Sequence, residues 1–182
     1  MLTGESPATA LRLLKSTGLL TVVLPEVEAL AGVAQPKKFH PEGDAWTHTL
    51  LMFDFLEEQP NAELAWSILL HDVGKPVTRT VDDNKVPHFH NHEVEGARIA
   101  AAIAERLRFP NTMRDHVIHA VRNHMRMAAV CNMREATIKR LLAEPELPLE
   151  LELHRVDCLA SHGMMSCYEF LRDRLTGMKD VI

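Results

Sequence analysis

An imidazole and a carboxylate stand side by side at His71-Asp72, directly behind the apolar run AELAWSILL (62–70). Neither group is cheaply desolvated without a partner, and a divalent cation satisfies both at once. Neighbouring residues on a helix point about 100° apart, so two of them reach one ion most readily where a helix ends. Gly74 and Pro76 supply that end. An HD dipeptide alone carries no information; HDVGK closing an apolar helix carries a good deal.

Other polar residues fall where the apolar pattern predicts burial. His48 lies on the preceding helix, and the short loop near Pro60-Asn61 would pack the two helices antiparallel and bring His48 beside the 71–72 corner. Taken alone, His48 reads as a hydrogen-bonded core histidine. Asp157 flanks the stripe formed by Leu149, Leu153, Val156 and Ala160, where a carboxylate needs a cation, a helix end or a metal. His124 falls within the stripe of Val117, Val121 and Met125, and His92 opens a long helix with Glu93 beside it. His88 and His90 alternate through the loop before it and read as surface residues. Eleven histidines in 182 residues are an excess that points to metal or acid–base chemistry.

The elements that must position these groups are helical nearly throughout. Ser6-Pro7 starts a helix that Thr17-Gly18 stops, and Pro25-Glu26 opens a short one. Asp44 caps a helix with Trp46, Leu50 and Phe53 on one face, and Asn61 caps the apolar helix, which reads as central. Residues 76–90 form a polar loop or short hairpin. Further helices are expected from about Glu93 to Leu107, from Pro110 to about Met125, and near 134–143, 148–161 and 165–176. The expected fold is an all-α bundle, with residues 1–35 as an N-terminal helical extension and 36–182 as the metal-binding domain.

Composition narrows the function. With 46% hydrophobic residues the chain can bury a sizeable core. A net charge of −5 gives no global basic field for nucleic acid, and no apolar run reaches the roughly 18–20 residues of a membrane helix. The first residues lack a signal-peptide pattern. Cys131, Cys158 and Cys167 form no CxxC pair, which fits a reducing, cytoplasmic setting.

The order His48, His71-Asp72, His92, His124, Asp157 resembles the HD superfamily of metal-dependent phosphohydrolases. FHPEGDAWTHTL (39–50), LLHDVGK (69–75), HFHNHEVEGARIA (88–100) and LHRVDCLASHG (153–163) are similar to the HD region of bacterial tRNA nucleotidyltransferases, the CCA-adding and poly(A) polymerase relatives. SPATALRLLKSTGLLTVVLPEVEAL is similar to the segment that precedes that region.

The resemblance implies one divalent ion held by His48, His71, Asp72 and Asp157, with His92 and His124 binding a second ion or the substrate phosphate. Imidazole and carboxylate ligands suit Mn, Fe, Ni, Co or Zn, and Mg with water completing its shell. The ion would polarise a phosphoryl oxygen and activate water. Asp72 would be the bridging or base carboxylate. Lys75 reads either as a catalytic cation that neutralises phosphate charge or as a solvated loop lysine.

The implied activity is hydrolysis of a phosphomonoester or a small, 2',3'-cyclic or other, phosphodiester of a nucleotide or RNA end. The alternative is an RNA-facing module with a vestigial or structural metal site, serving a nucleotidyltransferase head on the same or a separate chain and meeting tRNA through it. The Gly-Ser dipeptide and DxD pair of such a head are absent from these 182 residues.

Overall fold

The computed structural model describes residues 1–179. Helix α1 (Pro7–Ser16) begins with proline in its first turn, where the missing N–H costs no backbone bond. Ser6 occupies the cap position, but its side chain makes no capping hydrogen bond, so proline rather than the expected serine cap marks this start. Gly18 then reverses the chain at φ +73°. Two short helices follow, α2 (Leu19–Val23) and α3 (Pro25–Glu28).

Asp44 is the hinge pin of the next stretch. Its Oδ1 accepts the Thr47 N–H at 2.9 Å and caps α4 (Ala45–Asp54), while its Oδ2 accepts the Gly32 N–H at 2.7 Å and ties α4 to the N-terminal helices. Asn61 caps α5 (Ala62–Leu70) through the Leu64 N–H at 2.8 Å. As the sequence predicts, α5 is central: Leu64, Ala65, Ile68, Leu69 and Leu70 are buried, and α4, α8 (Asn111–Asn123) and α10 (Leu147–Ala160) pack against it.

Between α5 and α7 (His92–Arg106) lie the single turn α6 (Lys75–Thr78) and a minimal hairpin. Its strands β1 (Thr80–Val81) and β2 (Pro87–His88) pair antiparallel, with Thr80 opposite His88. Among the described residues the fold is thus all-α apart from the hairpin expected within 76–90 and an isolated bridge between Ala34 and Asp44. Gly74 sets how closely α6 approaches α7. A Cβ there would stand 2.1 Å from the His92 carbonyl oxygen and 2.6 Å from the Gly96 nitrogen, both backbone atoms.

Helix α8 ends at Asn123, close to the expected end near Met125, and gives way to a 3₁₀ helix (His124–Asn132) that the sequence did not announce. Short 3₁₀ turns are common at helix C-termini, and this run of nine residues is long for one. Helices α9 (Glu135–Leu142) and α11 (Ser166–Lys179) complete the chain.

The interior divides into two apolar clusters. The larger draws Leu11, Leu20 and Val27 from the N-terminal helices and Leu30 from the turn after them, together with α4, α5, α7, α8 and the later half of α10. The smaller joins Met127 and Val130 of the 3₁₀ helix to Ile138, Leu141 and Leu171, with Leu147 and Leu151 from the start of α10. Helix α10 belongs to both. Among the described residues, no helix is long and apolar enough to cross a membrane.

Candidate metal centre

Three of the site's histidines stand at helix ends: His71 just after α5, His92 as the first residue of α7, and His124 just after α8. At each place the backbone carbonyl three residues back lies open to the ring. His71 Nδ1 pairs with the Ile68 oxygen at 2.9 Å, His92 Nδ1 with that of Phe89 at 2.8 Å, and His124 Nδ1 with that of Val121 at 2.8 Å. A carbonyl only accepts, so these bonds assign the proton to Nδ1 and leave each Nε2 as a lone pair.

Those lone pairs converge on Asp72. His71 Nε2 lies 3.2 Å from Asp72 Oδ2, and His92 Nε2 and His124 Nε2 lie 3.4 and 3.9 Å from Asp72 Oδ1. His48, fully buried in α4, closes the other side, with Nε2 3.0 Å from Asp157 Oδ1 on α10 and Nδ1 2.7 Å from Glu42 Oε1. Both contacts are at ion-pair distance, yet neither ring nitrogen meets hydrogen-bond geometry. His48 Nδ1 and Nε2, His71 Nε2 and Asp72 Oδ2 therefore all count as buried polar atoms without a hydrogen-bond partner.

Two sets of ligand atoms result, His48 with His71 and Asp157, and Asp72 with His92 and His124, each within a 4.8 Å span that could hold a metal ion. Unsatisfied buried atoms of this number are expensive, and a cation satisfies them together. The residues present therefore fit a divalent ion.

The electrostatics point the same way. Burial opposes ionisation of Asp72, but His71 and Lys75 beside it outweigh that and hold the carboxyl well below the usual range. Burial likewise opposes the Asp157 charge, which His48 more than restores. Burial, aided by the neighbouring His71, pushes His124 down to about 3, so it stays a neutral, ligand-ready imidazole. His48 moves oppositely: burial disfavours its charge, but Asp157 and Glu42 raise it to about 9.

Lys75 is not a solvated loop lysine. It is buried, with Nζ 2.6 Å from Asp72 Oδ2 and 2.5 Å from Gln35 Oε1. The centre forms the floor of a cleft of about 510 Å³. Phe39, Met125 and Met164 line its upper walls, exposed between 45% and 58%. His88 and His90, read from the sequence as ordinary surface residues, belong to that rim too, their rings stacked with centroids 5.7 Å apart.

Residues 45–161 match the family model described as HD domain. The chain belongs to the HD domain family. Members of that family are generally metal-dependent hydrolases. As an HD domain it is similar to proteins named Multifunctional CCA protein. The one from Halorhodospira halophila is 36% identical over 159 residues, 85% of this chain and 38% of the relative. The Legionella pneumophila (strain Paris) protein is 36% identical over 77% of this chain and 34% of its own length. The Alkalilimnicola ehrlichii protein is 32% identical over 97% of this chain and 40% of its own length. The chain thus spans between a third and two fifths of these relatives.

Sequence reasoning assembled the six residues of the two sets but missed their supports. Gln35, Glu42 and buried His154 also reach the centre or its cleft. The signal for Glu42 and for His40 beside it lay within FHPEGDAWTH, where attention went to His48.

Proposed function

We propose that this HD domain hydrolyses a phosphomonoester or a small phosphodiester, including the 2',3'-cyclic kind, at a nucleotide or RNA end. The observation that carries the reading is the pair of ligand sets meeting at Asp72 on the floor of an open cleft. His48, His71, Asp72 and Asp157 would hold one divalent ion, and His92 and His124 with the other face of Asp72 would hold a second ion or the substrate phosphate. When bound, such an ion supplies Lewis-acid polarisation of a phosphoryl oxygen and lowers the pKa of water.

Asp72 acts by its charge and its two oriented oxygens. A carboxylate held so far below its ordinary pKa accepts a proton poorly, which favours a role as ligand over that of general base. Lys75 fixes one of those oxygens and places positive charge on the cleft floor, where it offsets phosphate charge. The apolar walls at Phe39, Met125 and Met164 give the organic part of the ester a surface to rest on.

A second reading is supported by the relatives' names and by the share of their length that this chain covers. The HD domain would then be the RNA-facing portion of a tRNA nucleotidyltransferase, with its head on the same or another chain and a structural metal site. Residues 1–35 would be the segment leading into the HD domain of 36–182, and the setting would be the cytoplasm.

Phosphate release separates the two readings. Metal-stripped protein reloaded in turn with Mg, Mn, Co, Ni or Zn should cleave p-nitrophenyl phosphate, its bis ester or a 2',3'-cyclic nucleotide, and Asp72→Asn should not. Metal binding without turnover of any of these would favour the structural module.

A further inference from the structure

His48 differs from the other imidazoles of the centre in what surrounds it. His71, His92 and His124 sit at helix ends and use an open carbonyl to orient the ring. His48 lies inside α4, where the carbonyl three residues back, that of Ala45, already accepts the Thr49 hydroxyl at 2.9 Å. The Asp44 carbonyl, four residues back, accepts the His48 N–H at 3.0 Å. The two main-chain carbonyls nearest the ring are thus already engaged, and the acceptor that lies within reach of His48 Nδ1 is the carboxylate of Glu42.

We propose that Glu42 is the positioning residue that takes the Nδ1 proton and turns His48 Nε2 toward Asp157 and the ion. The proposal rests on the metal-centre reading above. Glu42 Oε1 is 2.7 Å from His48 Nδ1, and its side chain is only 6% exposed. The same oxygen pairs with His40 Nδ1 at 2.9 Å, which pins the carboxylate from the cleft side. In so buried a setting the charge acts on the ring even where the contact is bent. A carboxylate behind a ligating histidine fixes its tautomer and makes the far nitrogen a better donor than a carbonyl would. His40, Glu42 and His48 could alternatively hold a cation of their own, which makes stoichiometry part of the test.

The experiment titrates the metal-stripped full chain with Co²⁺ alone, followed by calorimetry and by the cobalt visible spectrum. Glu42→Ala should weaken Co²⁺ binding by about 10- to 100-fold at unchanged stoichiometry. Glu42→Gln keeps an oxygen acceptor and should recover part of that loss. In both variants the ¹⁵N NMR signature of the His48 Nδ1–H should move away from its carboxylate-bonded position. Equal affinity in wild type and both variants overturns the proposal, as does the loss of one whole ion per chain, which would make Glu42 a ligand. Should Glu42→Ala fail to fold by circular dichroism, Glu42→Gln decides, and wild-type affinity there overturns the proposal. A wild-type chain that binds no Co²⁺ would instead remove the metal centre itself.

Discussion

His92 and His124 face each other through their Nε2 atoms at 3.1 Å, while the Nδ1 of each is engaged by a carbonyl three residues earlier. With each Nδ1 committed to a carbonyl, the two Nε2 atoms meet lone pair to lone pair unless a proton or a metal cation lies between them. His124, held down at about 3, does not take up that proton near neutral pH. On the reading in which His92 and His124 hold a second ion, His124→Ala should remove it and leave the ion at His48, His71, Asp72 and Asp157 in place. Elemental analysis should then fall from two ions per chain to one; an unchanged count of two would contradict a second ion at His124.

Asp157→Ala tests the other set. Its carboxylate is the contribution of α10 and the contact that faces His48 Nε2 at 3.0 Å. Removing a ligand should weaken metal affinity by more than the roughly 10- to 100-fold that loss of a supporting group costs. Turnover should disappear and helical circular dichroism should persist. His88→Ala, at the rim of the cleft with its ring on His90, should keep the metal and shift KM instead.

The metal-free protein should lose stability as pH rises. His48 has its folded-state pKa raised from 6.5 to about 9, so the stability it contributes is fully present below about 6.5 and fades as pH climbs through 9. Asp72 and Asp157, shifted down, contribute the opposite limb, lost as pH falls below the ordinary carboxylate range. Melting temperatures of stripped protein should fall between pH 6.5 and 9, and bound metal, which displaces the His48 proton, should flatten that limb. A stripped protein with constant Tm over this range would refute the assignment.

Gly74→Ala should destabilise the fold by about 3 kcal/mol, because the new methyl meets backbone of α7 that cannot step aside. For a chain of this size that is a fall of about 6–12 °C in Tm. Metal affinity should fall with it, since His92 rides on the displaced helix. A Tm within a degree of wild type would mean that α6 and α7 yield more easily than their contact implies.

The purified 182-residue chain should not add nucleotides to tRNA. It lacks the Gly-Ser and DxD elements that would grip a nucleoside triphosphate and its magnesium. Labelled CTP or ATP incorporated by a homogeneous sample is the contrary result.

Much of this side-chain cluster was legible in the sequence because its polar members break an otherwise apolar pattern. His124 and Asp157 are polar residues in or beside apolar stripes, and HDVGK puts two candidate ligands at a helix end. The supports were harder to read. Glu42 and Gln35 lie in a connector with no periodicity, so nothing local marks them as inward. The pairing of Lys75 with Gln35 joins residues forty positions apart. The 3₁₀ helix after α8 was hidden because its apolar residues carry no period of their own that sets it apart from a loop.

The division of the interior gives the molecule two tempers. His48, His71, Asp72 and His92 are anchored in the larger cluster, whereas the 3₁₀ helix, α9 and α11 close only over the smaller one. Local opening follows such seams, so amide hydrogens of the C-terminal part should exchange with solvent sooner than those of α5 and α7. His124 sits at the seam itself, the last residue of the centre before the chain enters the smaller cluster. A breathing motion there would release one side of the centre while the other stays assembled, making the two ligand sets unequal in how fast they let go of what they hold.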